Sequence, residues 1–238
     1  MFVAKNNDAR RLVISDIHGC HKTFEALMEK ISPSTRDQLF FLGDYIDRGP
    51  ASAEVIEYLI KMKSDGYNMF LLKGNHEENL MNAFVEYDKE TFVFFVKKIN
   101  KSLTLLNDQG CIKPGYMEFL KTLELYFETD THFIVHAGFN FNCENPFEDK
   151  ISMLELRHSD IAKACKFIGN KKIVHGHQVT PIEEIVSAVK EKKQDIPLDN
   201  GCFFTKPHKI YDITQTGHLC CLDLDSYELI MQRNVEGG

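Results

Sequence analysis

GDYIDRGP, residues 43–50, directly follows QLFFL, residues 38–42. The apolar run predicts a buried strand, and the polar stretch after it places two aspartates and an arginine within five positions. A solvated turn accepts almost any polar residues, so this choice indicates that the carboxylates hold something. The alternative at Asp44 is a helix cap, a position where aspartate is favoured.

Similar polar motifs follow other apolar runs of the chain. They are DIHG at 16–19, GNHE at 74–77, HAG at 136–138 and HGHQ at 175–178. Apolar runs and helical stripes alternate over the first third, which predicts a parallel sheet with helices on its faces. Because parallel strands share one carboxyl edge, the motifs are expected to converge there. Any single motif could be a cap or turn, but five in register favour one site.

The rest of the chain gives a coarser pattern. Apolar stripes at 92–99 and 116–123 predict core-facing helices in a helical insertion at about 88–122. Residues 219–224 and 228–231 predict a β-hairpin. Residues 190–200, EKKQDIPLDNG, are expected to form a flexible surface connection.

Composition and charge limit the class of protein. The 238 residues are 43% hydrophobic and 26% charged, which is typical of a globular chain. A net charge of −7 argues against a nucleic-acid partner. Seven cysteines without a C-x-x-C pair indicate reduced thiols, and no apolar segment is long enough for a membrane span. We therefore expect a cytoplasmic protein without a membrane partner.

The donor types in the motifs select a kind of metal. They are carboxylate, imidazole and amide groups without a thiolate, which suits manganese, iron or zinc. A carboxylate can bridge two cations, and a two-metal site stabilises charge on a phosphoryl group. The sequence thus indicates a hydrolytic metal site.

Taken in order and spacing, these motifs resemble the phosphoprotein phosphatase branch of the calcineurin-like metallophosphoesterases. The resemblance runs from about residue 16 to residue 177, with a weaker similarity at 198–202 and 216–222. It implies a four-layer α/β/β/α sandwich with mixed sheets, forming a single domain over residues 1–238 that includes the insertion at about 88–122. It also implies two divalent ions, with Mn²⁺ expected and iron or zinc as options.

The resemblance assigns the metal ligands residue by residue. Asp16 and His18 would bind the first ion, and Asp44 would bridge both. The ligands of the second ion would be Asn75, His136 and His177. His175 competes with His177 for its position, and otherwise is a core histidine or supports a ligand.

The resemblance also assigns groups that act on the substrate. His76 would be the general acid, with Asp47 bonded to its other ring nitrogen, an arrangement that raises the pKa of a proton donor. Arg48 would bind phosphate. Arg157 would be a second phosphate ligand, with an exposed helix arginine as the alternative. Glu77 is expected to stabilise a helix N-terminus rather than bind metal.

The implied function is a serine/threonine protein phosphatase of the small bacterial or phage type, which hydrolyses phosphomonoesters with a dinuclear-metal-activated hydroxide. Its partner would be a phosphoprotein or a small phosphate ester. The alternative enzyme is a symmetrical bis(5'-nucleosyl)-tetraphosphatase, although related tetraphosphatases commonly lack the aspartate found here at Asp47. A metal-binding scaffold without turnover is the alternative from another class.

The tail departs from the family pattern. Asn200 stands where the family usually has threonine, and residues 202–215 are longer than a tight hairpin. That segment either borders the substrate or is a solvated loop, so the substrate stays open, as does the oligomeric state.

Overall fold

The computed structural model of the protein describes residues 1–6, 8–206 and 208–237. Pro207, inside the predicted 202–215 loop, lies outside the described residues. In chain order the strands are β1 (Arg11–Ile14), β2 (Gln38–Phe41), β3 (Asn68–Leu71), β4 (Tyr126–Glu128), β5 (His132–Val135), β6 (Lys172–His175), β7 (Asp195–Pro197), β8 (His218–Asp223) and β9 (Leu229–Arg233). The α-helices are α1 (His21–Ile31), α2 (Ser52–Ser64), α3 (Asn75–Glu86), α4 (Lys89–Phe95), α5 (Pro114–Lys121), α6 (Lys150–Glu155), α7 (Ile161–Ile168) and α8 (Ile182–Lys190).

The first sheet has the strand order β3-β2-β1-β8-β9. Strands β1, β2 and β3 pair in parallel, as the alternating pattern predicted, and β8 pairs antiparallel with β1. Strands β8 and β9 form the predicted hairpin. Because β1, β2 and β3 run in one direction, the loops after them lie at one edge of the sheet.

The second sheet has the strand order β4-β5-β6-β7. Strands β5, β6 and β7 are parallel, and β4 is antiparallel to β5. The loops after β5 and β6 carry the HAG and HGHQ motifs at the carboxyl ends of these strands. Each sheet is therefore mixed, and each brings its polar motifs to a parallel edge.

The two sheets pack face to face. Val13 and Phe40 of the first sheet share one buried cluster with Ile134 and Val174 of the second. Successive side chains of a strand point to opposite faces, so the neighbours of these residues point outward. They meet helices there: the outer face of the first sheet packs on α1 and α2, and that of the second on α6 and α7. This is the expected α/β/β/α sandwich with mixed sheets.

The region predicted as a helical insertion contains α4, a π-helical turn at Val96–Asn100, a 3₁₀ turn at Leu103–Leu105 and α5. Phe92, Tyr116 and Phe119 pack into the same buried cluster as α1 and α2. The predicted core stripe is wrong at Ile99, whose side chain is 66% exposed. The π turn has a wider spacing than an α-helix, so the 3.6-residue stripe loses its phase there. That this region is an insertion in a single domain stays a prediction.

The expectation of a flexible connection at 190–200 is also wrong. The segment contains β7, which pairs with β6, and Ile196 and Leu198 are fully buried between the sheets. Strand β7 lies at the edge of its sheet, where a proline such as Pro197 costs no ladder hydrogen bond. The charged flanks of this short strand concealed its apolar alternation.

Within the described residues, we find no helix with both the length and the apolar character that crossing a bilayer requires.

Candidate metal centre

Two groups of potential ligands share one carboxylate. Among the described residues, the ligand atoms of His18, Asp44 and His76 lie within 4.8 Å of one another, as do those of Asp44, His136 and His177. Two cations joined by a shared carboxylate are the arrangement of two-metal hydrolytic sites. The structure therefore brings together most of the predicted ligands, and it adds His76 to the first group.

Asp16 lies beside these groups and is fully buried. Its Oδ2 accepts the backbone N–H of His177 at 2.9 Å, while its Oδ1 has no hydrogen-bond partner among the described residues. Burial raises the pKa of Asp16 well above its usual value, and the nearby Asp199 and Asp44 raise it further. A bare buried carboxylate oxygen is costly, and a bound cation would relieve that cost.

The tautomers of two histidines are set by backbone carbonyls. His18 donates its Nδ1–H to the carbonyl of Ile46 at 3.1 Å, and His136 donates its Nδ1–H to the carbonyl of Leu42 at 2.7 Å. Each Nε2 lone pair then faces Asp44, at 3.4 Å for His18 and 3.6 Å for His136. Burial lowers the pKa of both rings, that of His18 to about 3. Both are neutral imidazoles oriented for metal binding.

Asn75 completes the second group. Its Oδ1 lies 3.1 Å from His136 Nε2 and 3.2 Å from His177 Nδ1. Because His136 Nε2 carries a lone pair, it and the Asn75 oxygen are two acceptors that face each other. A positive charge between them would remove their repulsion. Burial raises the pKa of Asp44, yet the pKa lies below its usual value, in part because the backbone N–H of His76 donates to Asp44 Oδ1 at 3.1 Å, so the carboxylate is anionic. These nitrogen and oxygen donors fit a pair of divalent cations.

Two glycines let backbone approach the carboxylates closely. A Cβ on Gly74 would lie 2.1 Å from Asp44 Oδ1, and a Cβ on Gly176 would lie 1.8 Å from Asp16 Oδ1. Any other residue at these positions would displace a ligand oxygen. This explains a glycine directly before Asn75 and another directly before His177.

Glu77 holds the loop that contains Asp44 through backbone hydrogen bonds. Its carboxylate is fully buried and accepts the backbone N–H groups of Gly74, Asp44 and Tyr45 at 2.8–3.0 Å. Burial raises the pKa of Glu77 to about 8, and Asp44 also raises it. Glu77 thus ties the start of α3 to the loop after β2 and lies outside both ligand groups.

Five site residues have a left-handed backbone, which is uncommon outside glycine. Their φ angles are 48° for His18, 48° for Asp44, 71° for Asp47, 65° for Arg48 and 66° for His177. Such conformations cost of order 1 kcal/mol or more each and persist where surrounding contacts enforce them. This concentration of strained backbone is typical of a functional site.

His76 and Asp47 form a hydrogen-bonded pair at the rim of the centre. His76 Nδ1 lies 2.6 Å from Asp47 Oδ2, and Nε2 points to the open side, where Arg48 Nη2 lies at 3.3 Å. Burial lowers the pKa of His76, but the bond to Asp47 and the charge of Asp44 outweigh it, so the pKa lies above its usual value. Arg48 can only donate, so Nε2 accepts from it in this arrangement, and Arg48 must move away before Nε2 can carry a proton.

The two predicted phosphate ligands have different neighbours. Arg48 is exposed, and its guanidinium carbon lies 4.6 Å from the ring centre of Phe203, so part of the 202–215 loop borders the site. Arg157 is exposed and lines a cavity of about 240 Å³ with His175 and Gln178. Both arginines can therefore be reached from solvent.

His175 lies outside both ligand groups and points away from them. Its Nε2 lies 3.4 Å from Asp195 Oδ1, on the neighbouring strand β7. Of the two histidines that compete for the ligand position, His177 is the one placed with Asp44 and His136.

Some residues of the site had no signal in the sequence. Asn100 and Ser102 donate to the Asp47 carboxylate, although they lie more than fifty positions away.

Asn200, where the family pattern has threonine, donates to the carbonyls of Thr180 and Gln215 and accepts the N–H of His218, so it anchors the tail.

A sandwich of two mixed sheets with two ligand groups at its strand ends, joined by one carboxylate, defines a phosphoesterase with a dinuclear metal centre. The family model described as calcineurin-like phosphoesterase matches residues 9–199, more than half of the chain. The protein belongs to the calcineurin-like phosphoesterase family, whose members are hydrolases of phosphate esters with a dinuclear metal centre.

Curated relatives include two kinds of tetraphosphatase. A symmetrical bis(5'-nucleosyl)-tetraphosphatase of Buchnera aphidicola is 30% identical over 163 residues, which are 62% of this chain and 57% of that protein. The asymmetrical bis(5'-nucleosyl)-tetraphosphatase PrpE of Bacillus velezensis is 25% identical over 222 residues, or 81% of this chain and 84% of that protein. The chain thus spans little more than half the length of the Buchnera relative.

Solved structures show the same fold. A chain provisionally described as a diadenosine tetraphosphatase superposes with a TM-score of 0.64 at 19% identity, covering 99% of both chains. A serine/threonine phosphatase of Saccharomyces cerevisiae with similarity to human PP5 superposes with a TM-score of 0.62 at 18% identity, covering 100% of this chain and 84% of that one. At these identities the likeness concerns the fold alone.

Proposed function

We propose that this protein is a serine/threonine protein phosphatase that hydrolyses phosphomonoesters. The observation that carries the proposal is the His76–Asp47 pair, with a 2.6 Å hydrogen bond at Nδ1 and with Nε2 on the open side beside Arg48. A serine or threonine alkoxide is strongly basic and leaves only when it receives a proton. A phosphate leaving group is weakly basic, since its second pKa is near 6, and needs no such donor.

The metal ligands in this proposal are Asp16, His18, Asp44, Asn75, His136 and His177. Two bound divalent cations would supply an activated water near neutral pH and offset the charge of the phosphoryl group. We propose that both ions are Mn²⁺, with iron or zinc as options. The chain's own groups fit such a pair, because the lone pairs of His18 and His136 face Asp44, and Asp16 has a buried oxygen without a hydrogen-bond partner among the described residues.

The remaining roles belong to side chains that face the open side. Arg48 and Arg157 would hold the equatorial phosphate oxygens, a task that suits the planar guanidinium group. His76 would give its Nε2 proton to the departing alkoxide, and Asp47 would hold the ring in place. Both arginines are exposed, so a phosphoryl group can reach them, and its binding would draw Arg48 away from His76 Nε2.

Hydrolysis of a dinucleoside tetraphosphate is the second candidate. It is supported by the curated relatives, which carry the names of symmetrical and asymmetrical bis(5'-nucleosyl)-tetraphosphatases at 25–30% identity. The experiment that separates the two compares kcat/KM for a phosphoserine or phosphothreonine peptide with that for diadenosine tetraphosphate, using Mn²⁺-loaded protein. A higher value for the tetraphosphate would replace the proposed function with the second candidate.

The role of His76 is tested with leaving groups of different basicity. His76→Asn should lower kcat about 10²- to 10⁴-fold for a phosphoserine peptide, the usual contribution of a general acid. The loss should be much smaller for p-nitrophenyl phosphate, whose phenolate leaves without a proton. Metal content should stay at two ions per chain. Loss of an ion would instead make His76 a ligand, consistent with its place in the first ligand group.

A further inference from the structure

The carboxylate of Asp47 is held by donors from a distant part of the chain. Asn100 Nδ2 donates to Oδ2 at 2.7 Å, and Ser102 Oγ donates to Oδ1 at 2.8 Å. His76 Nδ1 lies 2.6 Å from the same Oδ2. Asp47, Asn100 and Ser102 are 2–5% exposed, so water does not compete for these bonds. With donors on both oxygens, the carboxylate has one orientation.

The amide of Asn100 has a direction that only Asp47 explains. Its Oδ1 is buried without a hydrogen-bond partner among the described residues. Turning the amide over would place this oxygen against the carboxylate of Asp47, so the observed direction is the one that the carboxylate selects. A buried carbonyl without a partner is costly, and it persists where another contact requires it.

Ser52 holds the backbone of the same residue. Its Oγ accepts the N–H of Asp47 at 2.9 Å and lies 3.0 Å from Ser102 Oγ. Asp47 has a φ of 71°, a conformation that needs such support. The main chain and the side chain of Asp47 are therefore held by one connected network.

The π-helical turn Val96–Asn100 places the donors. Ser102 donates its backbone N–H to the carbonyl of Val96, and Lys101 between the two donors has a left-handed φ of 58°. This brings Asn100 and Ser102 to the same side. Turns of this type are frequent at functional sites.

We propose that Asn100 and Ser102 are positioning residues for the proton transfer by His76. The inference rests on the proposed function, because it concerns the same acid. The network keeps Asp47 aligned with Nδ1–H, which aims Nε2 at the leaving oxygen. As hydroxide adds to phosphorus and the bond from phosphorus to the serine or threonine oxygen breaks, the Nε2 proton passes to that oxygen, and Nε2 keeps a lone pair. The products are the free hydroxyl side chain and hydrogen phosphate.

The test removes the two donors one at a time. Asn100→Leu and Ser102→Ala should each lower kcat for a phosphoserine peptide about tenfold or more, while kcat for p-nitrophenyl phosphate should change less than about threefold. KM and metal content should not change. Ser102→Thr keeps the hydroxyl and should restore the rate. Asn107→Ala is the matched control, because Asn107 caps a turn of the same region and accepts from Gln109 and Cys111 rather than donating to Asp47.

A second readout needs neither metal nor turnover. Proton NMR of the metal-free protein should show the hydrogen-bonded Nδ1–H of His76 as a downfield resonance in the parent and in Asn107→Ala. It should be shifted or lost in Asn100→Leu and Ser102→Ala. An unchanged resonance and an unchanged dependence on the leaving group in both variants would overturn the inference.

The two proposals fail in different ways. A parent that hydrolyses diadenosine tetraphosphate and ignores the phosphopeptide would refute the proposed function, whereas the resonance would still report on the network. A parent that hydrolyses the phosphopeptide, with variants that keep its kcat, would refute the inference alone.

Discussion

Replacing Gly176 by alanine should impair metal binding through a single added carbon. The new Cβ would lie 1.8 Å from Oδ1 and 2.8 Å from Cγ of Asp16, far inside contact distance. Asp16 is fully buried, so its carboxylate can move only by giving up its bond to the N–H of His177. The φ of Gly176 lies outside the left-handed region, so the alanine backbone adds no strain of its own.

The expected magnitude follows from this overlap. Inserting a methyl group into a packed site costs about 1–3 kcal/mol. For a chain of this size that lowers Tm by about 2–12 °C, at roughly 2–4 °C per kcal/mol. A displaced ligand should also weaken Mn²⁺ binding about 10- to 100-fold, the range found when support for a metal ligand is removed.

The assay compares two glycine-to-alanine variants. Gly115 lies in α5, and a Cβ there would meet nothing within 4 Å. Gly115→Ala should therefore stabilise the protein by about 0.5–1 kcal/mol, because glycine weakens a helix. Circular dichroism melting of the metal-free proteins measures stability, and calorimetric titration with Mn²⁺ measures affinity.

Two results would refute the reasoning about Gly176. If Gly176→Ala melts and binds Mn²⁺ as the parent does, the close approach to Asp16 has no energetic consequence. If it loses stability yet keeps its affinity for both ions, Asp16 is not a metal ligand.

Other predictions concern His132 and the arginines. Burial lowers the pKa of His132 to about 4. Between pH 6.5 and 4 the unfolded chain therefore binds a proton that the folded chain does not, so the free energy of unfolding should decrease as the pH is lowered through this range. In His132→Gln this decrease should be smaller by up to about 3 kcal/mol. Urea unfolding at pH 4.5 and 7.5 measures the difference, and an equal decrease in parent and variant would show that His132 is not its cause. Arg157→Ala should raise KM for a phosphopeptide several-fold and leave the metal content unchanged. Arg48→Ala should lower kcat/KM more than Arg157→Ala does, because Arg48 also lies beside His76. If steady-state kinetics of Arg157→Ala equal those of the parent, Arg157 is a surface residue without a role in binding.

The sequence alone determined the architecture of the parallel strands and the kind of chemistry at their ends. Apolar runs followed by DIHG, GDYIDRG and GNHE predicted β1, β2 and β3 with polar loops at one edge, because strand periodicity and parallel pairing are local signals. Of the ligand candidates in these motifs, the structure places His18 in one group with Asp44, Asn75 beside His136, and Asp16 next to His177. Their individual roles stay predictions.

Only the tertiary structure decided how those side chains are held. Asn100 and Ser102 donate to Asp47, and Asp16 Oδ2 accepts the N–H of His177, across long stretches of chain. No local pattern marks a residue for a partner fifty or more positions away. Strand β7 was concealed because its charged flanks resemble a loop, and Ile99 was misplaced because a π turn breaks helical periodicity. Residue types along a strand or helix follow from local backbone geometry, whereas hydrogen bonds between distant segments exist only after the chain has packed.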